Sequence, residues 1–337
     1  MKKIIIIIIA AAIIFSAVIG VILGNYLKDN KTTKNIRTIY YTVPKDTTIE
    51  SLAEDFRIKG IINSQLYFKL YSKQNNLQGN IKNTKIMIEP NTNLLDVINR
   101  LKSEQPDFAV VTIPEGFRLY QIAERLDKNK LVDKNTFVNI KLNDIEGDSL
   151  IPKRNDIISD LEGFLFPDTY YIPTSYSEKE IAELMFNRFK TVFSQEHVGR
   201  AKELGLSINQ VIAIASLIER EAITDSDRTR ISGVIYNRLK KGMLLQIDAA
   251  VIYANTKGEG HLTKVLYSHL KFDSKYNSYV YKGLPPGPIA SPGRPSIEAA
   301  LYPEQHDFIY YVAGEGGHVF SKSYEEHLAN VKKYMNK

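Results

Sequence analysis

Hydrophobic and polar positions follow a helical spacing through the middle of the chain, most clearly between residues 207 and 222. Ser207 is a residue type that caps helix N-termini, and the segment after it is rich in Ala, Leu and Ile without Gly or Pro. At about 100° per residue the apolar side chains form one broad arc, which contains Glu219, whereas Glu221 falls at its edge. The pattern predicts a buried helix that aims one carboxyl group at an apolar region.

Glu219 is open to two interpretations. Burial disfavours the charged form of a carboxyl group, so we expect a raised pKa, which is what a general acid requires. A buried structural glutamate paired with an Arg or Lys fits the same periodicity equally well. Glu221, at the margin of the arc, is interpreted as a surface charge or as a helper of Glu219, with the surface charge favoured.

A strand–turn–helix pattern recurs three times between residues 38 and 132. The strands are predicted at 39–43, 85–88 and 108–113, and a helix with apolar residues at i, i+3, i+4 and i+7 follows each turn. The copies predict small α+β modules with a shared strand layer, and they resemble LysM-type glycan-binding modules. A structural spacer between a membrane and the rest of the chain is the alternative interpretation.

The second half of the chain is predicted to be mostly helical. Residues 161–172 are aromatic and contain Gly163 and Pro167, which favours an ordered loop, and a helix capped by Ser177 follows. A break is expected at 196–205, then the central helix, and further helices at about 227–240, from about Asp248, and at 296–301. The Gly/Pro-rich stretch 276–293 is predicted to be a loop, and 308–320 a β-hairpin before a basic C-terminal helix.

The N-terminal segment has the length and composition of a membrane anchor. Residues 4–23 form an apolar run of about 20 residues without a charge, and Lys2 and Lys3 precede it. This predicts an uncleaved single-pass helix in the inner or plasma membrane, with a cytoplasmic N-terminus and an extracytoplasmic remainder. A cleaved signal peptide is the alternative. The predicted domains are the anchor at 1–24, a polar linker at 25–37, the LysM-like modules at 38–135 and a C-terminal domain at 136–337.

Composition narrows the possible chemistry. The chain of 337 residues has no cysteine, which excludes disulfides, Cys-ligated metals, Cys nucleophiles and a lipobox anchor. The net charge of +6 fits either solubility or attraction to an anionic polymer, and its scattered charges form no nucleic-acid-binding motif. Most of the 20 Tyr and 14 Phe belong in a core, although aromatic side chains also line sugar-binding grooves.

A set of motifs in fixed order resembles the endolytic murein transglycosylases of the MltG (YceG-like) family. The motifs are Glu-Gly-Phe-Leu-Phe-Pro-Asp-Thr-Tyr at 162–170, Ala-Ser-Leu-Ile-Glu-Arg-Glu at 215–221, Tyr-Asn-Arg-Leu at 236–239, Leu-Gln-Ile-Asp at 245–248, Tyr-Asn-Ser-Tyr at 276–279, Gly-Leu-Pro-Pro-Gly-Pro-Ile at 283–289 and Gly-His-Val-Phe at 317–320. The resemblance implies a membrane-anchored lyase that cleaves between N-acetylmuramic acid and N-acetylglucosamine inside peptidoglycan strands and leaves a 1,6-anhydro end. The family's catalytic glutamate matches Glu219.

Other residues in these motifs are candidate substrate contacts: Asn237, Arg238, Gln246, Asp248, Tyr276, Asn277, Tyr279 and His318. For five of them a structural role is the alternative: bracing of the helix for Asn237 and Gln246, packing for the two tyrosines, and an N-cap for Asp248, which is the favoured interpretation of that residue. We expect Arg238 to hold a carboxylate of the protein or substrate. We expect no cofactor and no metal, because His318 has no second ligand at metal-binding spacing.

Three functions compete. A lytic transglycosylase uses one carboxyl group twice, because the 6-hydroxyl of the substrate is the nucleophile. A hydrolase of the same polymer needs a second carboxylate, for which Asp248 or Glu221 is available. A non-catalytic glycan-binding scaffold of the envelope is the third. The expected partners are peptidoglycan strands, the membrane and peptidoglycan synthases, and no nucleic acid.

Overall fold

The predicted α+β class is confirmed in a computed structural model, which combines many helices with small sheets. The structure describes residue 16 and residues 30–335, with gaps at 146–150, 152–154, 261 and 263. Within these residues three two-stranded sheets accompany the helices. The chain divides into two compact units, the first up to Ala109 with Tyr171–Ser175, and the second formed by Val110–Tyr170 and Tyr176–Lys337.

The first unit is built on an antiparallel strand pair. Strand β1 (Ile39–Thr42) pairs with β2 (Lys85–Ile88), so that Ile39 lies opposite Ile88. Helices α1 (Ile49–Ile58) and α2 (Gln65–Gln74) lie between the two strands in sequence, and α3 (Leu94–Lys102) follows. The apolar faces of these elements form one core, in which the Phe56 ring packs on Phe68 with ring centroids 5.4 Å apart. Helix α2 is absent from the sequence prediction.

The predicted strand layer shared by all three repeats is wrong. The third predicted strand is β3 (Phe108–Thr112), and it pairs with β4 (Thr169–Pro173) rather than with β1 or β2. Segment 161–172 is therefore an ordered turn that leads into a strand, because its β-favouring Thr-Tyr-Tyr-Ile end meets β3. The domain bounds 38–135 and 136–337 remain predictions.

The second unit is mostly helical and ends in a β-hairpin. Its helices are α4 (Leu119–Lys128), α5 (Lys134–Val138), α6 (Glu178–Val192), α7 (Gln195–Glu203), α8 (Ile208–Glu221), α9 (Asp225–Lys240), α10 (Asp248–Thr256), α11 (Arg294–Leu301) and α12 (Tyr324–Tyr334), with 3₁₀ turns at Leu142–Asp144 and His269–Lys271. The predicted hairpin is confirmed as β5 (Tyr310–Gly314) and β6 (Gly317–Ser321). The predicted break at 196–205 is wrong, because α7 occupies most of it as a short polar helix.

Helix α8 is the buried centre of this unit, as predicted. Ser207 is its N-cap, and its hydroxyl accepts the Gln210 N–H at 3.2 Å while the Gln210 side chain accepts the Ser207 N–H at 2.9 Å. Every residue from Val211 to Ile218 is buried, and α7, α9, α10 and α11 all pack on α8. Because other helices surround α8, polar side chains near its end can contact different elements. Glu219 and Glu221, at its C-terminal end, do so.

The predicted membrane anchor at 4–23 lies outside the described residues apart from Ser16. Among the residues that the structure does describe, no single helix meets the length and hydropathy needed to cross a bilayer. The helices Gln195–Glu203 and Ile208–Glu221 meet that requirement only when taken together, and they are bent by 93° at their junction.

Candidate active site

A cleft of about 570 Å³ opens in the second unit where the C-terminal end of α8 meets the β-hairpin and α12. Residues from six parts of the sequence line it: Glu221, Arg238, Leu245, Gln246, Asp248, Tyr279, Tyr310, Tyr311, Val312, Ala313, His318, Tyr324, His327, Val331 and Met335. Five of the eight predicted substrate contacts are among them. A volume of this size, with aromatic walls and a few convergent polar groups, is typical of a small-molecule or sugar site.

Glu221 is the acidic group that α8 presents to this cleft. The Tyr311 hydroxyl donates a hydrogen bond to its Oε2 at 3.0 Å. The pKa of Glu221 is raised to about 7, mainly by burial and also by the neighbouring Asp248 carboxylate, while hydrogen bonds from Tyr311 and the Ala249 backbone and the Arg220 charge act in the opposite direction. A carboxyl group with this pKa is partly protonated at neutral pH, so the favoured surface-charge interpretation of Glu221 is wrong.

Asp248 is the second carboxylate in the cleft. It is the first residue of α10 rather than its N-cap, since Ile247 occupies the cap position without a side-chain hydrogen bond. The favoured N-cap interpretation is therefore wrong. The Tyr279 hydroxyl donates to Asp248 Oδ1 at 2.7 Å, and burial together with this bond raises the pKa of Tyr279. Each of the two cleft carboxyl groups thus has its own tyrosine donor.

Arg238 holds main-chain carbonyls and not a carboxylate. Its Nε donates to Ile309 O at 2.7 Å, and its Nη1 donates to Leu245 O at 2.7 Å. No ion pair joins Arg238 to an acidic group within the described part of the chain. The guanidinium instead ties the 244–245 segment to the chain entering the hairpin, and the expected contact of Arg238 with a substrate carboxylate stays a prediction.

Gln246 occupies the cleft wall with an unusual backbone. Its φ of +52° lies in the left-handed region, which costs free energy for a residue with a Cβ atom. The Gln246 N–H donates to Ser278 O at 3.1 Å, and the Ile247 N–H donates to Ser278 Oγ at 2.9 Å. These bonds fix the loop in this conformation, which places Gln246 between two other lining residues, Leu245 and Asp248.

The other three predicted substrate contacts lie away from the cleft. Asn237 Nδ2 donates to His306 O at 2.7 Å and to Phe308 O at 3.0 Å. Asn277 is fully buried, and its Oδ1 accepts the Tyr279 N–H at 3.0 Å. Tyr276 is buried against Tyr253. The structure gives these three side chains the role of holding the chain segments that carry the cleft residues.

Glu219 points to the opposite side of α8 from Glu221. Two residues of helix correspond to about 200° of rotation, so the two side chains cannot share a face. Glu219 Oε2 accepts the Gly293 N–H at 3.0 Å and the Ser296 hydroxyl at 2.7 Å, and it lies 3.4 Å from Arg228 Nη1. Glu219 is buried as predicted, but its surroundings are cationic and polar rather than apolar.

Glu115 is a further acidic group beside Glu219, and the sequence analysis gave it no role. Burial and the Glu219 charge raise the pKa of Glu115. A Cβ atom at position 293 would lie 1.9 Å from Glu115 Oε1, so only glycine leaves room for this carboxyl group. The sequence predicted a turn at Pro114-Glu-Gly116, but no local pattern indicated that Glu115 in this turn lies next to α8.

Glu162 is another carboxyl group outside the cleft, and it is buried. Its Oε1 accepts the Leu119 N–H at 3.0 Å at the first residue of α4, and burial raises its pKa to about 7. This bond satisfies a free N–H at the start of a helix, where a carboxyl group is favourable. The 162–170 motif therefore has a structural role at α4.

His318 enters the cleft from the hairpin, backed by Asp227. Its Nδ1 lies 3.0 Å from Asp227 Oδ2, and its backbone N–H donates to Asp227 Oδ1 at 3.2 Å. The ring also meets Tyr311 edge-to-face, with centroids 5.2 Å apart. Among the described residues no cluster of three or more His, Asp or Glu side chains has the geometry to hold a metal ion.

Comparisons with known proteins agree with the motif set. The model of the YceG-like family matches residues 41–333. The chain is 33% identical to the endolytic murein transglycosylase of Bacillus subtilis, over 92% of this chain and 87% of that protein. It is 28% identical to the protein of the same name from Streptococcus pneumoniae, over 94% of this chain and 61% of that one.

A solved structure supports the fold. The crystal structure of a yceG-like protein from Listeria monocytogenes shares 31% identity, with a TM-score of 0.62 over 87% of this chain and 98% of that one. Since the family model covers most of the sequence, the chain belongs to the YceG-like family.

Proposed function

We propose that this protein is an endolytic peptidoglycan lytic transglycosylase, a lyase that cuts inside glycan strands. It cleaves the bond between N-acetylmuramic acid and N-acetylglucosamine and leaves a 1,6-anhydro end. The observation that carries this is the protonatable Glu221 in an aromatic-walled cleft. Sequence comparison also supports the proposal, because relatives that are similar over nearly the whole chain are named endolytic murein transglycosylases.

Glu221, rather than the Glu219 expected from the motif, is the acid in this proposal. A general acid must reach the substrate and hold its proton near neutral pH. Glu221 lines the cleft and its pKa is raised to about 7. Glu219 is not among the cleft-lining residues, and one of its oxygens already accepts two hydrogen bonds and faces Arg228. These contacts favour a structural Glu219 paired with Arg228, the second interpretation left open by its periodicity.

The reaction needs only this one carboxyl group. Protonated Glu221 donates its proton to the glycosidic oxygen as the bond from that oxygen to the anomeric carbon breaks. The resulting carboxylate takes the proton from the muramic acid 6-hydroxyl, whose oxygen bonds to the anomeric carbon. Glu221 ends protonated, ready for another cycle. Tyr311 orients it throughout, because the tyrosine hydroxyl donates to Oε2 of this carboxyl group.

Hydrolysis is the second candidate, and Asp248 is the observation that favours it. Asp248 lies close enough to Glu221 to raise its pKa, and both line the same cleft. Glycosidases that use water need two such carboxyl groups on either side of the bond. In the lyase reaction Asp248 has a different task, which is to stabilise positive charge developing at the anomeric carbon.

Product mass distinguishes the two reactions. Purified peptidoglycan sacculi digested with the enzyme should give new strand ends that are lighter than hydrated ends by one water, as 1,6-anhydro ends are. New reducing ends in their place would establish the hydrolase. Binding to sacculi without any new strand end would instead support the non-catalytic scaffold.

Replacing Tyr311 by Phe should shift the pH dependence of cleavage. The Tyr311 hydrogen bond lowers the pKa of Glu221, so its loss raises that pKa above about 7. Because the acid must be protonated, the alkaline limb of the kcat/KM profile should move to higher pH, while the maximal rate falls several-fold as orientation is lost. Tyr310→Phe is the matched control, since this neighbouring hydroxyl makes no bond to Glu221. If the alkaline limb of the kcat/KM profile lies at the same pH in Tyr311→Phe as in the control, the proposed effect of Tyr311 on Glu221 is contradicted.

We also propose that residues 4–23 anchor the protein in the membrane, with the second unit outside the cytoplasm, where peptidoglycan synthases are candidate partners. Their apolar run after Lys2 and Lys3 supports this. The LysM-like interpretation of 38–135 rests on the strand–helix order seen at β1–α1 and β2–α3. Cell fractionation tests the anchor, because a full-length chain in the soluble fraction would exclude it.

A further inference from the structure

The strongest feature that the single-carboxyl reaction leaves unused is the pair formed by Asp227 and His318. Both side chains are only 6% exposed, so their contact is well shielded from water. Asp227 lies in the first turn of α9, whereas His318 is the second residue of β6. The pair therefore joins the helix after α8 to the wall of the cleft.

The hydrogen bonds fix which ring nitrogen of His318 carries the proton. Burial alone raises the pKa of Asp227, but the bonds from the His318 ring, the His318 backbone and Thr224 outweigh burial and lower it below its ordinary value. An ionised carboxylate only accepts hydrogen bonds, so the His318 nitrogen 3.0 Å away, Nδ1, is the donor. A neutral imidazole protonated at Nδ1 has a free lone pair at Nε2.

That lone pair has no partner in the described residues. The only hydrogen bond of the His318 side chain there is that of Nδ1, while the residue itself lines the cleft. The side chain as a whole is only 6% exposed, so an acceptor that it leaves unpaired on a cleft-lining residue is available to a donor group of a bound ligand. The ring also touches Tyr311, which holds Glu221, so the acceptor and the acid belong to one wall.

We propose that His318 Nε2 accepts a hydrogen bond from a sugar hydroxyl of the glycan bound in the cleft, and that Asp227 is the positioning residue that sets its tautomer. This rests on the proposed function, since it takes the glycan as the occupant. His318 thereby fixes the rotation of one sugar ring relative to Glu221, and Asp227 acts only through His318.

Two substitutions separate this role from a structural one. In His318→Asn the amide N–H replaces Nδ1–H and keeps the bond to Asp227, but nothing reaches into the cleft. In His318→Gln the longer side chain places an amide oxygen near the former Nε2. We expect kcat/KM on glycan strands to fall about tenfold for His318→Asn, the effect of one lost hydrogen bond, and to stay within about threefold of wild type for His318→Gln.

The two His318 substitutions are then introduced separately into Glu221→Gln protein, and their binding of glycan strands is compared. Glu221→Gln serves as the background because the strands are expected to stay uncleaved during the measurement. Uncleaved glycan strands should bind His318→Asn more weakly than His318→Gln, and both variants should melt near the parent temperature. The proposal is overturned if His318→Asn matches the parent in glycan binding and in kcat/KM. It is also overturned if the two variants lose equal amounts of binding and of kcat/KM. A Glu221→Gln protein that still cleaves would refute the proposed acid, while the binding comparison would still decide the role of His318.

Discussion

Glu221→Gln is expected to lower the rate of glycan cleavage by about three orders of magnitude with the fold intact. General acid–base groups contribute about 10²- to 10⁴-fold, and Gln cannot donate the proton that the leaving oxygen needs. The fold should survive because the Gln carbonyl oxygen still accepts the Tyr311 hydroxyl, and burial of a neutral amide costs less than burial of a charge. Release of soluble fragments from purified sacculi measures the rate, and thermal unfolding of the same preparation checks the fold.

The control for this experiment is Glu219→Gln, two residues earlier in the same helix. It removes the charge but keeps an acceptor for Gly293 and Ser296. We expect it to retain most of the cleavage rate when assayed well below its melting temperature. An inactive Glu219→Gln beside an active Glu221→Gln would reverse the assignment and restore the one that the motif first suggested.

Glu219→Ala is expected to have the largest effect on stability. The change removes the acceptor of the Gly293 N–H and the Ser296 hydroxyl, and it leaves Arg228, only 14% exposed, without its buried counter-ion. Breaking one side of a buried ion pair costs about 3 to 5 kcal/mol, so the free energy of unfolding should fall by about 3 kcal/mol. Urea unfolding followed by circular dichroism measures the difference.

Asp225 provides the comparison for this prediction. It is the other carboxylate partner of Arg228, at 3.2 Å from Nε, but its side chain is 90% exposed. Asp225→Ala should change the free energy of unfolding by well under 1 kcal/mol, because water screens an exposed pair. Equal losses in the two variants would mean that burial does not distinguish the two partners of Arg228, contrary to the geometry.

The sequence predicted the course of α8 well but could not show what its two glutamates face. Periodicity gave the N-cap at Ser207 and the buried arc, both of which depend on residues within a few turns. The partners that distinguish the glutamates come from far along the chain, with Ser296 reaching Glu219 across 77 positions and Tyr311 reaching Glu221 across 90. A helical wheel gives the direction of a side chain and not its contacts. It therefore predicted the burial of Glu219 correctly but assigned Glu221, at the edge of the apolar arc, to the surface.

The same limit explains the other differences. Asp248 carries a side chain typical of an N-cap, yet its partner is Tyr279 from a distant loop. Arg238 suits a carboxylate, but the chain entering the hairpin brings carbonyl groups to it instead. Strand β4 was hidden in an aromatic segment with Gly163 and Pro167, because a strand that depends on a distant partner has little local signal. Motif order nevertheless brought five of the eight expected contacts into one cleft.

Glu221 is the last residue of α8, where the helix dipole reaches its negative end. Carbonyl groups that have no helical partner concentrate partial negative charge there, and this disfavours a second negative charge. The dipole thus acts in the same direction as burial and keeps the proton on Glu221. Glu219, on the other side of the same turn, lies instead 3.4 Å from the guanidinium group of Arg228. One helix end therefore places one carboxyl group in the cleft and another against an arginine, and side-chain direction alone separates them.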